Sequence, residues 1–98
     1  MSRGPGEVTE AERREVLRAH MSNGRITELP IRRQDRLVVL DQIARALEPG
    51  VRYREEELNA VLCRFSADLV VLRRGLVDEG FLERDRTSYW RCGGTVDL

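Results

Sequence analysis

One stretch of the sequence, residues 53–91, constrains the fold more than any other part of the chain. Two amphipathic helical patterns follow one another with only a three-residue turn, Arg64-Phe65-Ser66, between them, and two short strands with aromatic residues come next. Two helices, a tight turn and a β-hairpin in this order are typical of a winged helix-turn-helix. The sequence therefore predicts an α+β fold: a winged helix-turn-helix with an additional N-terminal helix and a small antiparallel β wing.

The second helix of this pair is predicted over Ala67 to Glu79, and it is the element that would enter a DNA groove. Ser66 is its expected N-cap and Gly80 its expected C-terminal turn. The first helix is predicted over Arg54 to Cys63, with three glutamates in its first turn, where negative charge suits the helix dipole. The buried face of the second helix is predicted from apolar residues at helical spacing: Phe65, Leu69, Leu72 and Leu76.

The wing is predicted as a hairpin of residues 81–84 and 88–91 around a polar turn. Residues 51–53 are predicted to form a very short strand that pairs with this wing. Of the neighbouring Tyr89 and Trp90, one is expected to anchor the hairpin on the core, while the other is free to pack or stack at the surface.

The N-terminal part of the domain predicts one further helix. Thr9 and Glu12 have the spacing of a capping box, so the helix should begin there and run to about Ser22. The Asn-Gly pair at 23–24 is expected to end it, because both residues tolerate left-handed geometry. Its narrow apolar stripe is expected to pack on its own domain or on a second copy of the chain.

Residues 25–29 alternate polar and apolar side chains and predict a short strand or an extended segment. The next helix is predicted from about Gln34 to Leu47, and residues 48–50 (Glu-Pro-Gly) should end it sharply. Its regular apolar spacing is the strongest amphipathic pattern in the chain: Leu37, Leu40, Ile43, Ala44 and Leu47.

Length and composition fit one globular domain. With 98 residues, the chain is expected to form a single domain over residues 9–92, between a flexible tail at 1–8 and a C-terminal tail at 93–98. Hydrophobic residues make up 41% and charged residues 35% of the chain, which fits a globular rather than a disordered protein. No apolar run approaches the roughly 20 residues that a membrane span needs. The first residues contain no apolar stretch typical of a secretory signal, so the expected location is the cytoplasm.

The side chains that usually carry catalysis or bind metals are few and scattered. Cys63 and Cys92 are far apart and the single histidine is His20, so we expect neither a metal site nor a cofactor, and two free thiols. Cys63 falls within an apolar helical pattern and is expected to be a small core residue. The three consecutive glutamates at 55–57 fit a helix start better than a carboxylate pair for catalysis. The sequence therefore does not predict an enzyme.

Charge is balanced overall, with 17 basic residues against 17 acidic ones. All the basic residues are arginines, which is explained either by coding bias or by selection for bidentate phosphate contacts. Zero net charge argues against tight non-specific binding to nucleic acid, but it leaves room for a local basic patch.

The candidate DNA-binding residues come from three places in the chain. On the second helix of the pair, Arg74 could contact a phosphate or a guanine, and Val71 could contact a thymine methyl group. On the wing, Arg84 and Arg86 are placed for the DNA backbone or minor groove, although a solvated hairpin of mixed charge explains them equally well. Two arginines at the start of the helix that precedes the pair complete the set: Arg32 and Arg33. Basic charge there opposes the helix dipole, so these side chains are expected either to point outward or to pair with acidic residues of another element.

Four segments stand out together: NGRITELP, LEPGVRYREEELN, LRRGLVDEGFLER and YWR. In this combination they resemble a bacterial domain-of-unknown-function family, number 2087. The resemblance covers Asn23 to Arg91, most of the chain. Its members are described as transcription-associated, alone or appended to helix-turn-helix regulators, so the resemblance implies a fold and a context rather than a reaction. One departure is Ser66, which stands where the family often has a histidine. The residues that carry the resemblance are Pro49-Gly50, Tyr53, Glu57, Asn59, Asp68, Arg73-Arg74, Leu76-Val77-Asp78, Gly80 and Tyr89-Trp90-Arg91.

The family pattern draws attention to Asp68 and Arg73. We expect Asp68 to support the start of its helix and Arg73 to form a salt bridge, in preference to direct DNA contact.

Two functions follow as expectations. The first is a DNA-binding transcriptional regulator of winged-helix type, with DNA as its partner and a homodimer as its expected form. The alternative is a protein–protein interaction module that uses the winged-helix fold without DNA, which zero net charge, Asp78 and an exposed Val71 favour. A continuous positive stripe on the surface favours the first, and neutralisation of its arginines by carboxylates favours the second.

Overall fold

The computed structural model describes residues 9–92, so the predicted tails at 1–8 and 93–98 lie outside the described residues. Within residues 9–92 the chain forms four helices and two small antiparallel sheets, which confirms the predicted α+β class. No helix in this part of the chain is long and apolar enough to cross a membrane. The elements in chain order are α1 (Glu10–His20), β1 (Met21–Ser22), β2 (Arg25–Ile26), α2 (Arg33–Ala44), β3 (Arg52–Tyr53), α3 (Glu55–Leu62), α4 (Leu69–Asp78), β4 (Leu82–Arg84) and β5 (Tyr89–Arg91).

Helix α1 begins as predicted and ends earlier than predicted. Thr9 is the N-cap, and its hydroxyl and the Glu12 side chain form the reciprocal capping box. The predicted end at Ser22 is wrong, because Met21 and Ser22 already form β1, which pairs with β2. Asn23 and Gly24 both have positive φ, 54° and 79°, the geometry of a type I′ hairpin turn. The Asn-Gly pair therefore makes a hairpin instead of capping the helix.

Helix α2 lies at the centre of the core. Its side chains Val39, Leu40, Ile43 and Ala44 are fully buried. The predicted single stripe is too narrow, because Val38 is buried as well and neighbouring elements cover more of the helix. The helix ends at Ala44 rather than at about Leu47. Beyond Ala44, amides bond to carbonyl groups three residues earlier, as in a 3₁₀ turn, and the Leu47 side chain is buried.

A buried polar contact fixes α1 against α2. The Arg13 guanidinium donates to Asp41 Oδ2 at 2.7 Å and to Gln42 Oε1 at 2.6 Å. Asp41 also pairs with Arg45 one turn further along α2. The apolar stripe of α1 packs beside this contact, so it covers its own domain, one of the two arrangements that the sequence left open.

Helix α4 begins later than the sequence predicts. Asp68 is its N-cap and accepts a hydrogen bond from the Val71 amide, so the assignment of Ser66 as N-cap is wrong. The amide of Ser66 still bonds to Leu62 O at the end of α3, and its hydroxyl accepts from the Asp68 amide. Ser66 therefore belongs to the turn between the helices. Asp68 supports the helix start, as expected.

The turn between α3 and α4 is held by the N-terminal hairpin. The Ile26 amide donates to Phe65 O at 2.7 Å, and the Arg25 guanidinium donates to Cys63 O and Arg64 O. Of the segment 25–29, only the two residues of β2 form a strand. Pro30 lies beyond this strand and has no amide proton to donate to a neighbouring one.

The hairpin that follows α4 forms a three-stranded sheet with β3, in the order β3-β5-β4. The predicted short strand before α3 is therefore confirmed, and Tyr53 pairs with Tyr89. Gly80, with a φ of 83°, turns the chain from α4 into the hairpin. Tyr89 is buried and anchors the hairpin, whereas Trp90 is half-buried.

Candidate nucleic-acid interface

A cleft of about 240 Å³ lies between α4 and the β4–β5 hairpin. The first turn of α3 closes one end of it. Valine side chains of α4 line part of its surface, so the cleft is not purely polar. Its charged and polar lining residues are Glu55, Arg73, Arg74, Asp78, Arg84 and Tyr89.

Two of the arginines predicted to bind DNA line this cleft together: Arg74 and Arg84. Arg74 is exposed on α4, and Arg84 lies over the Tyr89 ring with its guanidinium carbon 5.0 Å from the ring centroid. Among residues 9–92, no carboxylate lies within ion-pair distance of either guanidinium. Both charges are therefore available to an anionic ligand.

Arg73, in contrast, is already bonded to side chains of its own domain. Its guanidinium donates to Asn59 Oδ1 at 2.6 Å and lies 4.0 Å from Glu55 Oε1. The Tyr89 hydroxyl donates to the same carboxylate at 3.2 Å. The expectation that Arg73 forms a salt bridge, rather than a contact with DNA, agrees with this geometry.

Arg86 lies at the tip of the hairpin, exposed and without an ion-pair partner among the described residues. Asp85 shapes the turn around it: the amides of Thr87 and Ser88 donate to Asp85 Oδ1 at 2.9 and 2.8 Å. Arg52 pairs with the other oxygen of this carboxylate. The hydrogen bonds from Thr87 and then from Ser88 lower the pKa of Asp85 from its usual 3.8 to about 2.

The tip of the hairpin should lose its order in acid. Because the pKa of Asp85 is lowered on folding, its carboxylate stabilises the turn fully above pH 3.8 and stops doing so as the pH falls through about 2. We expect the amide NMR signals of Thr87 and Ser88 to shift with a midpoint near the lower value. Asp85→Asn should abolish the transition, and a midpoint near 3.8 would contradict the bonded geometry.

Val71 is exposed to 45% and lies on another side of α4 from the arginine cleft. It lines a second groove, formed by the N-terminal part of α4 and the segment that follows β2. Val70, exposed to 54%, lines the arginine cleft instead. The exposure expected for Val71 is confirmed, and α4 presents an apolar surface beside its arginine.

At the start of α2, two arginines pair with an acidic residue of another element, one of the two arrangements that the sequence left open. Arg33 Nη2 lies 2.8 Å from Glu79 Oε1, and Arg36 Nη2 lies 3.3 Å from the other oxygen. The hydrogen bond from Arg33 is the main cause that holds the pKa of Glu79 below its usual value. Arg32 is exposed, and none of the described carboxylates pairs with it. A continuous positive stripe, which would favour DNA, is therefore interrupted by Glu79, which sequence reasoning had treated only as the end of a helix.

The remaining reactive side chains do not form a site. Within residues 9–92, no group of three or more histidine, cysteine or acidic side chains is placed to hold a metal ion. Both cysteines are free thiols. The expectation that Cys63 is a core residue is wrong. Cys63 is the C-cap of α3 and is exposed, and its thiol donates a hydrogen bond to Ala60 O. Cys92 is partly buried, and burial raises the pKa of its thiol.

Comparison with known protein families finds a match to this chain. The matching family is described as "Uncharacterized protein conserved in bacteria (DUF2087)", and its model covers residues 25–91. No curated protein matches the chain, and no solved structure matches it. The matched segment contains α4, the hairpin and the whole cleft between them, whereas α1 and β1 precede it.

Proposed function

The chain belongs to this family of uncharacterized bacterial proteins, and from that premise we propose that it is a DNA-binding transcriptional regulator of winged-helix type. In this proposal α4 enters the major groove, and the β4–β5 hairpin is the wing that contacts the DNA backbone. Helix-turn-helix regulators commonly bind two half-sites as dimers, and a homodimer is part of the proposal.

The connectivity of the elements supports the winged-helix assignment. Helices α3 and α4 are consecutive, the hairpin follows them, and a strand that precedes them pairs with the second strand of the hairpin. Small winged-helix domains have this short strand before the helix pair. The order β3-β5-β4 places the hairpin directly beside the proposed recognition helix, with the cleft between them.

One observation carries the proposal for DNA. Arg74, Arg84 and Arg86 have no carboxylate partner among residues 9–92, and all three lie on α4 or the hairpin. Arg33 and Arg36 are instead paired with Glu79, a neutralisation that favours the alternative function for that part of the surface. Exposed arginines on the two elements that would contact DNA, with no carboxylate of the described residues to neutralise them, are suited to bind phosphate oxygens, which position a protein on the duplex.

Salt dependence of DNA binding tests the proposal. Each phosphate contact contributes about −0.9 to the slope of log K against log salt concentration, so three free arginines predict a slope of roughly −3 per domain. Fluorescence anisotropy of a labelled duplex, titrated at about 50 mM and about 200 mM salt, measures this slope. Absence of binding at the lower salt concentration would contradict the proposal.

A second candidate function is an interaction module for another protein. Exposed Val70 and Val71 on α4 favour it, as do the carboxylates of Glu55 and Asp78 beside the arginines. Carboxylates repel DNA phosphates but are compatible with a partner of mixed charge. A protein partner retained by the wild-type chain and lost with Val71→Asp, together with no DNA binding at low salt, would favour this candidate.

A further inference from the structure

We propose that the cleft between α4 and the hairpin is a clamp for a single phosphodiester group, held between Arg74 and Arg84. The inference rests on the proposed function, because nucleic acid supplies the diester. It goes further by assigning one phosphate to one place and by stating which phosphate chemistry the cleft prefers.

The two arginines approach the cleft from different elements. Arg74 is on α4 and Arg84 is on β4, and both line the same space. A cation–π contact leaves the N–H donors of a guanidinium unused, so the stacking of Arg84 on Tyr89 positions this side chain without satisfying it. Two guanidinium groups that reach one cleft from two different elements suit a tetrahedral phosphate, which offers several oxygens to separate donors.

The wall that holds Arg84 is fixed before any ligand arrives. Tyr89 is only 4% exposed, and its hydroxyl is bonded to Glu55. Glu55 also lies beside Arg73, which Asn59 holds on its other side. This chain of contacts links the hairpin to α3 and α4, so little conformational freedom should be lost when an anion enters the cleft.

The charges of the lining select the kind of anion. Three arginines face two carboxylates, Glu55 and Asp78, which leaves a net charge of one positive. A phosphodiester carries one negative charge and matches this balance. A phosphomonoester carries about −1.5 to −2 at neutral pH. Its attraction to the lining grows in proportion to that charge, whereas the cost of removing it from water grows as the square of the charge, so the cleft favours the diester.

The volume of the cleft suits a single phosphate group rather than a whole small-molecule ligand. Its volume of about 240 Å³ is below the range of roughly 300–1,000 Å³ typical of small-molecule sites. It is open to solvent, as the exposure of Arg74 and Arg84 shows. One phosphate of a longer chain can therefore enter while the rest of the nucleic acid remains outside.

NMR of the arginine side chains tests the clamp. The probes are a thymidine dinucleotide with one internal diester and no terminal phosphate, and thymidine 3′-monophosphate. We expect the dinucleotide to shift the Nε–H signals of Arg74 and Arg84 saturably, and to bind roughly five- to tenfold more tightly than the monoester. The Arg14 signal, from an exposed side chain on α1, should not move.

Two conservative variants distinguish a clamp from two independent contacts. In Arg84→Gln the shift of Arg74 on addition of the dinucleotide should be largely lost, and Arg74→Gln should have the reciprocal effect, because one phosphate is shared. Independent effects of the two substitutions would overturn the clamp. Equal affinity for the monoester would overturn the preference for a diester.

The clamp and the proposed function fail in different ways. Salt-dependent duplex binding with unmoved Arg74 and Arg84 signals would leave the function standing and remove the clamp. Dinucleotide binding in the cleft without any duplex binding would retain the clamp and remove the proposed regulator.

Discussion

Replacing Arg74 with glutamate should weaken duplex DNA binding by roughly 10- to 100-fold, which corresponds to about 1–3 kcal/mol. Arg74 is exposed and has no carboxylate partner among the described residues, so the substitution removes a binding group without breaking an ion pair within the domain. It also places a third acidic side chain in a cleft that already contains Glu55 and Asp78. Fluorescence anisotropy against a fixed duplex measures the loss.

Arg14→Glu is the matched control for this experiment. Arg14 is also an exposed helical arginine without an ion-pair partner in the described part of the chain, but it lies on α1. Both variants change the net charge by the same amount, so a difference between them reports on position rather than on total charge. Circular dichroism should show both variants folded. Equal losses of affinity in the two variants would indicate that DNA responds only to overall charge.

Leu40→Ala should lower the free energy of unfolding by about 2–5 kcal/mol. Leu40 is fully buried on α2, and its methyl groups lie 3.4 and 3.5 Å from where a side chain on Gly75 of α4 would begin. The substitution therefore opens a cavity between the central helix and the proposed recognition helix. Urea denaturation followed by circular dichroism measures the change. A loss below about 1 kcal/mol would mean that the two helices close over the cavity.

Gly75→Ala provides the paired control for Leu40→Ala. In the wild-type background the new methyl group would be in ordinary van der Waals contact with Leu40, and alanine improves helix propensity by about 0.8–1 kcal/mol. In the Leu40→Ala background the same methyl group also fills part of the cavity. We therefore expect Gly75→Ala to stabilise the double variant more than the wild type. The difference between the two backgrounds gives the coupling of α2 to α4.

Features that depend on neighbouring residues were predictable from the sequence. The capping box of Thr9 and Glu12 and the turn at Gly80 are set by interactions within a few positions, and both are present. The short strand before α3 was predictable on another ground, because small winged-helix domains often have a strand at this point that pairs with the wing.

Features decided by tertiary contacts were not predictable in the same way. The Asn-Gly pair suits a helix end and a hairpin equally well, and packing of β2 on the α3–α4 turn favours the hairpin. Likewise, Ser66 and Asp68 are both good N-caps. The choice of Asp68 follows from where α3 stops, since the amide of Ser66 is still bonded to that helix.

The candidate site likewise combines features that the local sequence predicts with features that only tertiary contacts decide. Arg74 and Arg84 could be proposed as DNA contacts from their residue type and element, but their shared cleft depends on the angle between α4 and the hairpin. Arg33 was predicted on the same grounds, yet its partner Glu79 is 46 positions away in sequence. Nothing local to either residue indicates that contact. Sequence reasoning therefore found the arginines but could not tell which of them are already paired.

The order of strands in the sheet has a consequence for synthesis of the protein on the ribosome. Strands β3 and β4 contact β5 and not each other, and β5 is the last of the three to be made. A nascent chain that has reached only β4 would hold both outer strands without a partner, and Arg84 would lack the Tyr89 ring beneath it. The helices can pack together before β5 is made, but the three-stranded sheet of the wing cannot form until then. The emergence of Tyr89–Arg91 should therefore be the step at which a growing chain first acquires a complete cleft.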